Sequence, residues 1–138
     1  MNTPAPGPDL DVVDEWLTLP DIAERLALDV GKVRQLVTDR RLLGVRRGEG
    51  GVVCVPADFL VPGHLANPAA PTEREGAPAW TVLSSLQGTF TVLADAGFSD
   101  AEAIAWLFTP DDLLAGTPMA ALRAGRKTEV RRRAQIEL

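Results

Sequence analysis

The chain has 138 residues and a net charge of −5; 46% of it is apolar, punctuated by 12 glycines and 11 prolines. That size and balance suit one domain, or two small ones sharing a core, and no run of 18 apolar residues is present to make a transmembrane helix. A single cysteine (Cys54) and a single histidine (His64) exclude a protein-only structural zinc site and fit a reducing, cytoplasmic setting.

Residues 1–15 read as a flexible acidic tail, with neither the basic start nor the apolar stretch of a signal peptide. Thr3-Pro4 lies within it, where an added phosphate would oppose a polyanion. The folded part begins at Trp16-Leu17. Thr18 is placed to cap a helix, Asp21 favours its positive end and Pro20 fits its first turn. Leu19, Ile22, Ala23 and Leu26 then recur at helical spacing. After the short joint Ala27-Leu28-Asp29, with Leu28 expected to plug the angle, Asp29 is placed to cap a second helix. Its apolar residues are Val30, Val33, Leu36 and Val37; Gly31, Gln35 and Thr38 lie opposite, flanked by Lys32 and Arg34. Two short amphipathic helices with so tight a joint predict a helix-turn-helix. The stretch from Arg40 to Arg47, the turn Gly48-Glu49-Gly50-Gly51 and the run Val52-Val53-Cys54-Val55-Pro56 predict a β-hairpin, the wing, with Cys54 as a small apolar filler. One helical turn at residues 57–60 is expected to return Phe59 to the core.

Residues 62–79 carry four prolines and a Glu-Arg-Glu cluster and predict a linker. An all-helical unit is expected over residues 80–138. Thr81 would cap a helix with Leu83, Leu86, Phe90 and Leu93 inward, closed by Gly97. Ser99 and Glu102 make a capping box. Thr109-Pro110 and Thr117-Pro118 each look like a cap followed by proline at the first helical position, and Gly125 divides the last segment. The fold class is therefore mainly α: a winged helix-turn-helix over residues 16–61 with a small hairpin, a linker, and a helical C-terminal unit.

Charge is unevenly distributed. Residues 25–47 sum to +5 and residues 123–133 to +5, within flanks that are acidic. Nothing points to an enzyme: there is no phosphate loop with a following Lys-Ser/Thr, no metal cluster, and no histidine set beside a serine or cysteine nucleophile. The glycines at 48–51 lack the strand-to-helix context of a nucleotide loop, and no cofactor is expected.

The run Thr18-Leu19-Pro20-Asp21-Ile22-Ala23-Glu24-Arg25-Leu26, with Lys32-Val33-Arg34-Gln35-Leu36-Val37 and the segment from Arg40 to Arg47, resembles the winged helix-turn-helix of excisionase and MerR-type regulators. Trp106-Leu107-Phe108-Thr109-Pro110, Gly116-Thr117-Pro118 and the segment from Gly125 to Ala134 resemble a small actinobacterial family that joins such a domain to a helical tail domain. The resemblance implies cytoplasmic binding to double-stranded DNA without catalysis. It puts Lys32, Arg34, Gln35 and Thr38 on a recognition helix and residues 48–51 at the wing tip. The dimerisation coiled coil and effector domain of full-length MerR regulators have no counterpart here, so ligand sensing is not implied. The tail is also distantly similar to the toxin-binding ends of some antitoxins.

Side chains pointing away from the core read the floor of the major groove. Gln35 and Thr38 have that direction, Gln35 suiting an adenine edge, while Lys32 and Arg34 reach guanine or phosphate. Arg40, Arg41, Arg46 and Arg47 are expected to grip phosphates, fixing register without reading sequence. The wing tip carries Glu49 instead of a base, which predicts modest, salt-sensitive affinity. Two functions stay open: a DNA-binding transcriptional regulator, and a protein-interaction adaptor acting through the C-terminal unit. Residues 80–138 could serve a homodimer or a protein partner, and the basic segment 123–133 could extend the DNA footprint or be a solvated helix.

Overall fold

The computed structural model describes residues 8–136; Thr3-Pro4 lies outside them. The chain is not free up to Trp16. Asp9 caps a 3-10 turn, Leu10–Val12, by accepting from the Asp11 N–H at 3.0 Å, and Val13 is buried in the core. The apolar pair Val12-Val13 supplies what an all-polar tail would lack.

Strand β1 (Trp16–Thr18) leads directly into helix α1 (Leu19–Leu26). The Thr18 hydroxyl accepts from the Asp21 N–H at 3.3 Å, and the Asp21 carboxylate accepts from the Thr18 N–H at 3.1 Å. This reciprocal box satisfies two otherwise orphan donors. Ala27 ends α1 with φ +55, in the left-handed region. Helix α2 (Val30–Thr38) follows, with Ile22 of α1 and Val33 of α2 fully buried. Two expectations change here. Leu28 is 36% exposed and does not plug the angle. Asp29 occupies the N-cap position, but its carboxylate makes no cap bond.

The first arm of the hairpin is shorter than expected. Leu42 and Leu43 turn fully into the core, and only Val45–Arg47 form strand β2. Strand β3 (Val52–Pro56) pairs antiparallel with both neighbours in the order β1-β3-β2, with Leu17 opposite Val55 and Arg46 opposite Val53. Gly48 and Gly51, both at positive φ, close the wing tip through a Gly51 N–H to Gly48 carbonyl bond of 3.1 Å. As expected, a helical turn (Ala57–Phe59) buries Phe59, whose ring lies 5.4 Å from Phe90 and 6.0 Å from Phe108.

The stretch expected as a linker is stitched down. Strand β4 (Leu60–Pro62) pairs antiparallel with β5 (Trp80–Val82), Val61 opposite Thr81. Between them the Gly63 N–H meets the Pro78 carbonyl at 3.1 Å and the Thr72 N–H meets the His64 carbonyl at 2.9 Å. A Cβ at Gly63 would overlap the Pro78 carbonyl, so only glycine permits this approach. The C-terminal unit is consequently not all helical: Thr81 sits in a strand, and the first helix, α3 (Leu86–Asp95), follows Ser85 at its N-cap position.

Helices α4 (Asp100–Phe108), α5 (Pro118–Arg123) and α6 (Lys127–Ile136) complete the chain. The Ser99–Glu102 capping box and the Thr117 cap form as expected, and Gly97 and Gly125 take positive φ at the breaks between helices. The Ser99 N–H and hydroxyl hold the Glu102 carboxyl below its ordinary range. Thr109 behaves differently: it ends α4, its hydroxyl donating to the Ala105 carbonyl at 2.6 Å, and Asp111 caps the next 3-10 turn, Asp112–Leu114. The whole is helix-rich with small antiparallel sheets. Buried residues from Val13 to Ala134 form one continuous cluster.

Candidate nucleic-acid interface

Helix α2 packs through Val33 and leaves Lys32, Arg34, Gln35 and Thr38 exposed together. The 3.6-residue period requires that separation once Val33 is fixed inward. Lys32 and Arg34 form no ion pair among the described residues, so both cations are held out to solvent. Gln35 is oriented: its Nε2 donates to the Asp39 carboxylate one turn on, at 2.8 Å.

The four arginines that follow do not form one uniform row. Arg40 takes φ +60 and turns toward the C-terminal unit, its Nη2 donating to Asp100 at 2.9 Å. Arg41 is exposed beside a hollow of about 250 Å³ shared with Val82, Leu83, Ser84 and Gln87. Arg46 and Arg47 alternate across β2, as a strand demands. Arg46 is exposed and donates to the Gly51 carbonyl at 3.0 Å, bracing the wing tip. Arg47 is half-buried, its guanidinium 4.5 Å from the centre of the Trp16 ring and 3.8 Å from Asp11.

One element of this surface escaped sequence reasoning. Leu19 and Pro20 of α1, Val30 and Arg34 of α2, and Val52 and Val53 of β3 line an apolar hollow of about 260 Å³. Val52 is 52% exposed there. Its sequence signal was the unusual placing of an apolar residue next to a polar wing tip.

Four arginines of the second basic segment are spent internally, while Lys127 and Arg132 stay exposed. Arg123 donates to the Asp58 and Leu60 carbonyls at 2.7 and 2.9 Å. Arg131 donates to the Ser85 carbonyl at 2.9 Å and to the Thr89 hydroxyl at 3.3 Å. Arg126 reaches the Leu114 carbonyl and Glu129, each at 3.2 Å, and Arg133 pairs with Asp111 at 2.8 Å. Arg123 and Arg131 thus serve different parts of the chain, Arg123 the strand β4 region and Arg131 the start of α3.

A tight two-helix turn, followed by a hairpin that adds to the strand before it, defines a winged helix-turn-helix protein. Residues 8–60 match the family model described as DNA-binding protein Rv2175c, wHTH domain, and residues 83–137 match the Rv2175c C-terminal domain of unknown function. The chain belongs to the Rv2175c family. It is 35% identical over 146 aligned residues to the DNA-binding protein Rv2175c of Mycobacterium tuberculosis, the alignment covering 97% of this chain and 88% of that one. It also resembles the NMR structure of Rv2175c, with a TM-score of 0.66 and 33% identity over 99% of this chain and 98% of the other. No helix among the described residues is long and apolar enough to cross a membrane.

Proposed function

We propose that this is a DNA-binding protein that lays α2 in the major groove and acts as a transcriptional regulator in the cytoplasm. The observation that carries this is the outward face of α2, where Lys32 and Arg34 have no acidic partner among the described residues and stand beside Gln35 and Thr38. Membership of a family with a DNA-binding member, and the likeness of the helix-turn-helix run to excisionase and MerR-type regulators, support it. Gln35 and Thr38 read base edges, Lys32 and Arg34 reach guanine or phosphate, and Arg41, Arg46 and Arg47 hold the backbone. The hollow at Val52 suits a thymine methyl or a sugar edge, since it is apolar and opens between helix and wing.

Fluorescence anisotropy on a labelled duplex over a range of salt tests this. Affinity is expected to fall linearly on a log–log salt plot, and Arg34→Ala to flatten the slope by about one. Absence of binding at low salt defeats the proposal.

A second activity, contact with a protein or a second copy through the C-terminal unit, is favoured by one apolar spot. Leu113 and Ile136 are 75% and 66% exposed and line the same hollow with Glu129 and Arg132. Sedimentation of the wild type against Leu113→Lys tests it: a mass that is monomeric and unchanged across concentration removes the second-copy version.

A further inference from the structure

Helix α2 ends on contacts that come from the other half of the chain. The Gln87 side chain, in the first turn of α3, donates to the Asp39 carbonyl at 3.3 Å. Asp100, the first residue of α4, accepts from Arg40 at 2.9 Å. Asp100 is well placed for this: a carboxylate is favoured at a helix N-terminus, and the Ser99 capping box fixes that terminus. Arg40 adopts the left-handed conformation that L side chains disfavour; the turn is closed by the Arg40 N–H to the Val37 carbonyl at 3.1 Å and the Arg41 N–H to the Leu36 carbonyl at 2.9 Å, and the tie to Asp100 adds a side-chain hold on it. Leu42 and Leu43, just beyond, are buried and pin the exit of the turn.

Asp39 also touches the reading face. Asp39 sends its carbonyl to Gln87 and its carboxylate to Gln35. A carboxylate only accepts, so the Gln35 amide must present its nitrogen to Asp39. That leaves the oxygen and the second N–H of Gln35 directed elsewhere, the acceptor–donor pair that adenine's N6 and N7 require.

We infer that the C-terminal helical unit braces the recognition helix: Gln87 and Asp100 fix Asp39 and Arg40, and Asp39 in turn presents the Gln35 amide for base reading. All four are positioning residues, and Arg40 serves the brace instead of gripping phosphate. The inference rests on α2 entering the groove. The opposite arrangement, in which Asp100 merely masks a phosphate-binding Arg40, predicts the reverse sign of effect.

The test uses the full chain with Asp100→Asn, Gln87→Ala and Asp39→Ala, and Asp100→Glu as the conservative control. Two readouts are taken: NMR of the Gln35 side-chain amide with hydrogen exchange at the Asp39 and Arg40 N–H groups, and anisotropy on two duplexes. One duplex is that selected by the wild type from a random pool; the other is its scrambled counterpart. Asp100→Asn and Gln87→Ala are each expected to speed exchange at residues 39 and 40 about threefold, the value of one exposed pair. The Gln35 amide resonances move in all three variants and return in Asp100→Glu. Affinity for the selected duplex falls about three- to tenfold while the scrambled duplex changes less than twofold. Tighter binding of both duplexes by Asp100→Asn overturns the inference, as does a Gln35 amide that stays still, or a pool that yields no preferred sequence. Arg34→Ala separates the two layers. If it leaves both affinities unchanged the groove assignment fails, while the exchange and amide data still report whether the brace exists.

Discussion

The two basic segments carry the same net charge, and each engages four arginines within the chain: Arg25, Arg40, Arg46 and Arg47 in the first, Arg123, Arg126, Arg131 and Arg133 in the second. They differ in where the remaining cations stand. In residues 25–47, Lys32, Arg34 and Arg41 face solvent from a helix and its exit, and their charge is available to a ligand. In residues 123–133, four arginines serve backbone carbonyls and carboxylates of their own chain. A guanidinium has five donors in a flat fork, so it can satisfy several carbonyl oxygens at once. The difference teaches that local charge does not locate a nucleic-acid surface; what matters is whether the cations left over share one exposed helix face with side chains able to read bases.

Substitutions can break or sharpen that contrast. The largest effect is expected from Arg131→Ala, which strips donors from the Ser85 carbonyl and the Thr89 hydroxyl. Unfolding free energy measured in urea is expected to fall by about 2 kcal/mol, with DNA affinity unchanged in the fraction that stays folded. A stable variant with weaker DNA binding would erase the distinction between the segments. Next, Arg34→Ala is expected to weaken DNA binding about tenfold, or about 1.4 kcal/mol, while shifting stability by less than about 0.5 kcal/mol. Smaller again is Asp11→Asn, which releases Arg47 from its carboxylate neighbour at 3.8 Å. Binding at low salt is expected to tighten about twofold, a gain that disappears as salt rises.

The smallest effect is one of pH. The Glu102 carboxyl is held below its ordinary value of 4.5 by the Ser99 N–H and hydroxyl. A carboxyl with a depressed folded pKa binds its proton more weakly folded than unfolded. Its contribution is therefore present above the ordinary carboxylate range and lost as pH falls through the folded value. In Glu102→Gln, melting temperature is expected to drop less between neutral and acidic pH than in the wild type. An identical drop in both would show that the cap does not contribute to acid lability.

Local signals in the sequence were legible because their partners lie three or four residues away. Thr18 with Asp21, Ser99 with Glu102 and Thr117-Pro118 all formed their caps. The Thr-Pro pair at 109–110 carries the same letters and does something else, since the preceding helix is still present and its Ala105 carbonyl takes the hydroxyl. Neither β5 nor the binding of Arg40 to Asp100 was legible. Trp80-Thr81-Val82 is too short to signal a strand, and its partner Leu60–Pro62 lies about a score of residues back. Arg40 and Asp100 are 60 residues apart. Of the candidate surface, the outward face of α2 followed from helical period alone. The hollow at Val52 needed three elements brought together, and no single stretch announces it.

Phe59 has a consequence for how the molecule comes apart. Its ring contacts those of Phe90 and Phe108, so it is one of the residues through which the wing's sheet and the helices share one interior. An excised segment of residues 8–61 would leave that ring in water. The two halves are consequently expected to melt in a single calorimetric transition, and DNA held by one half to raise the melting temperature of both.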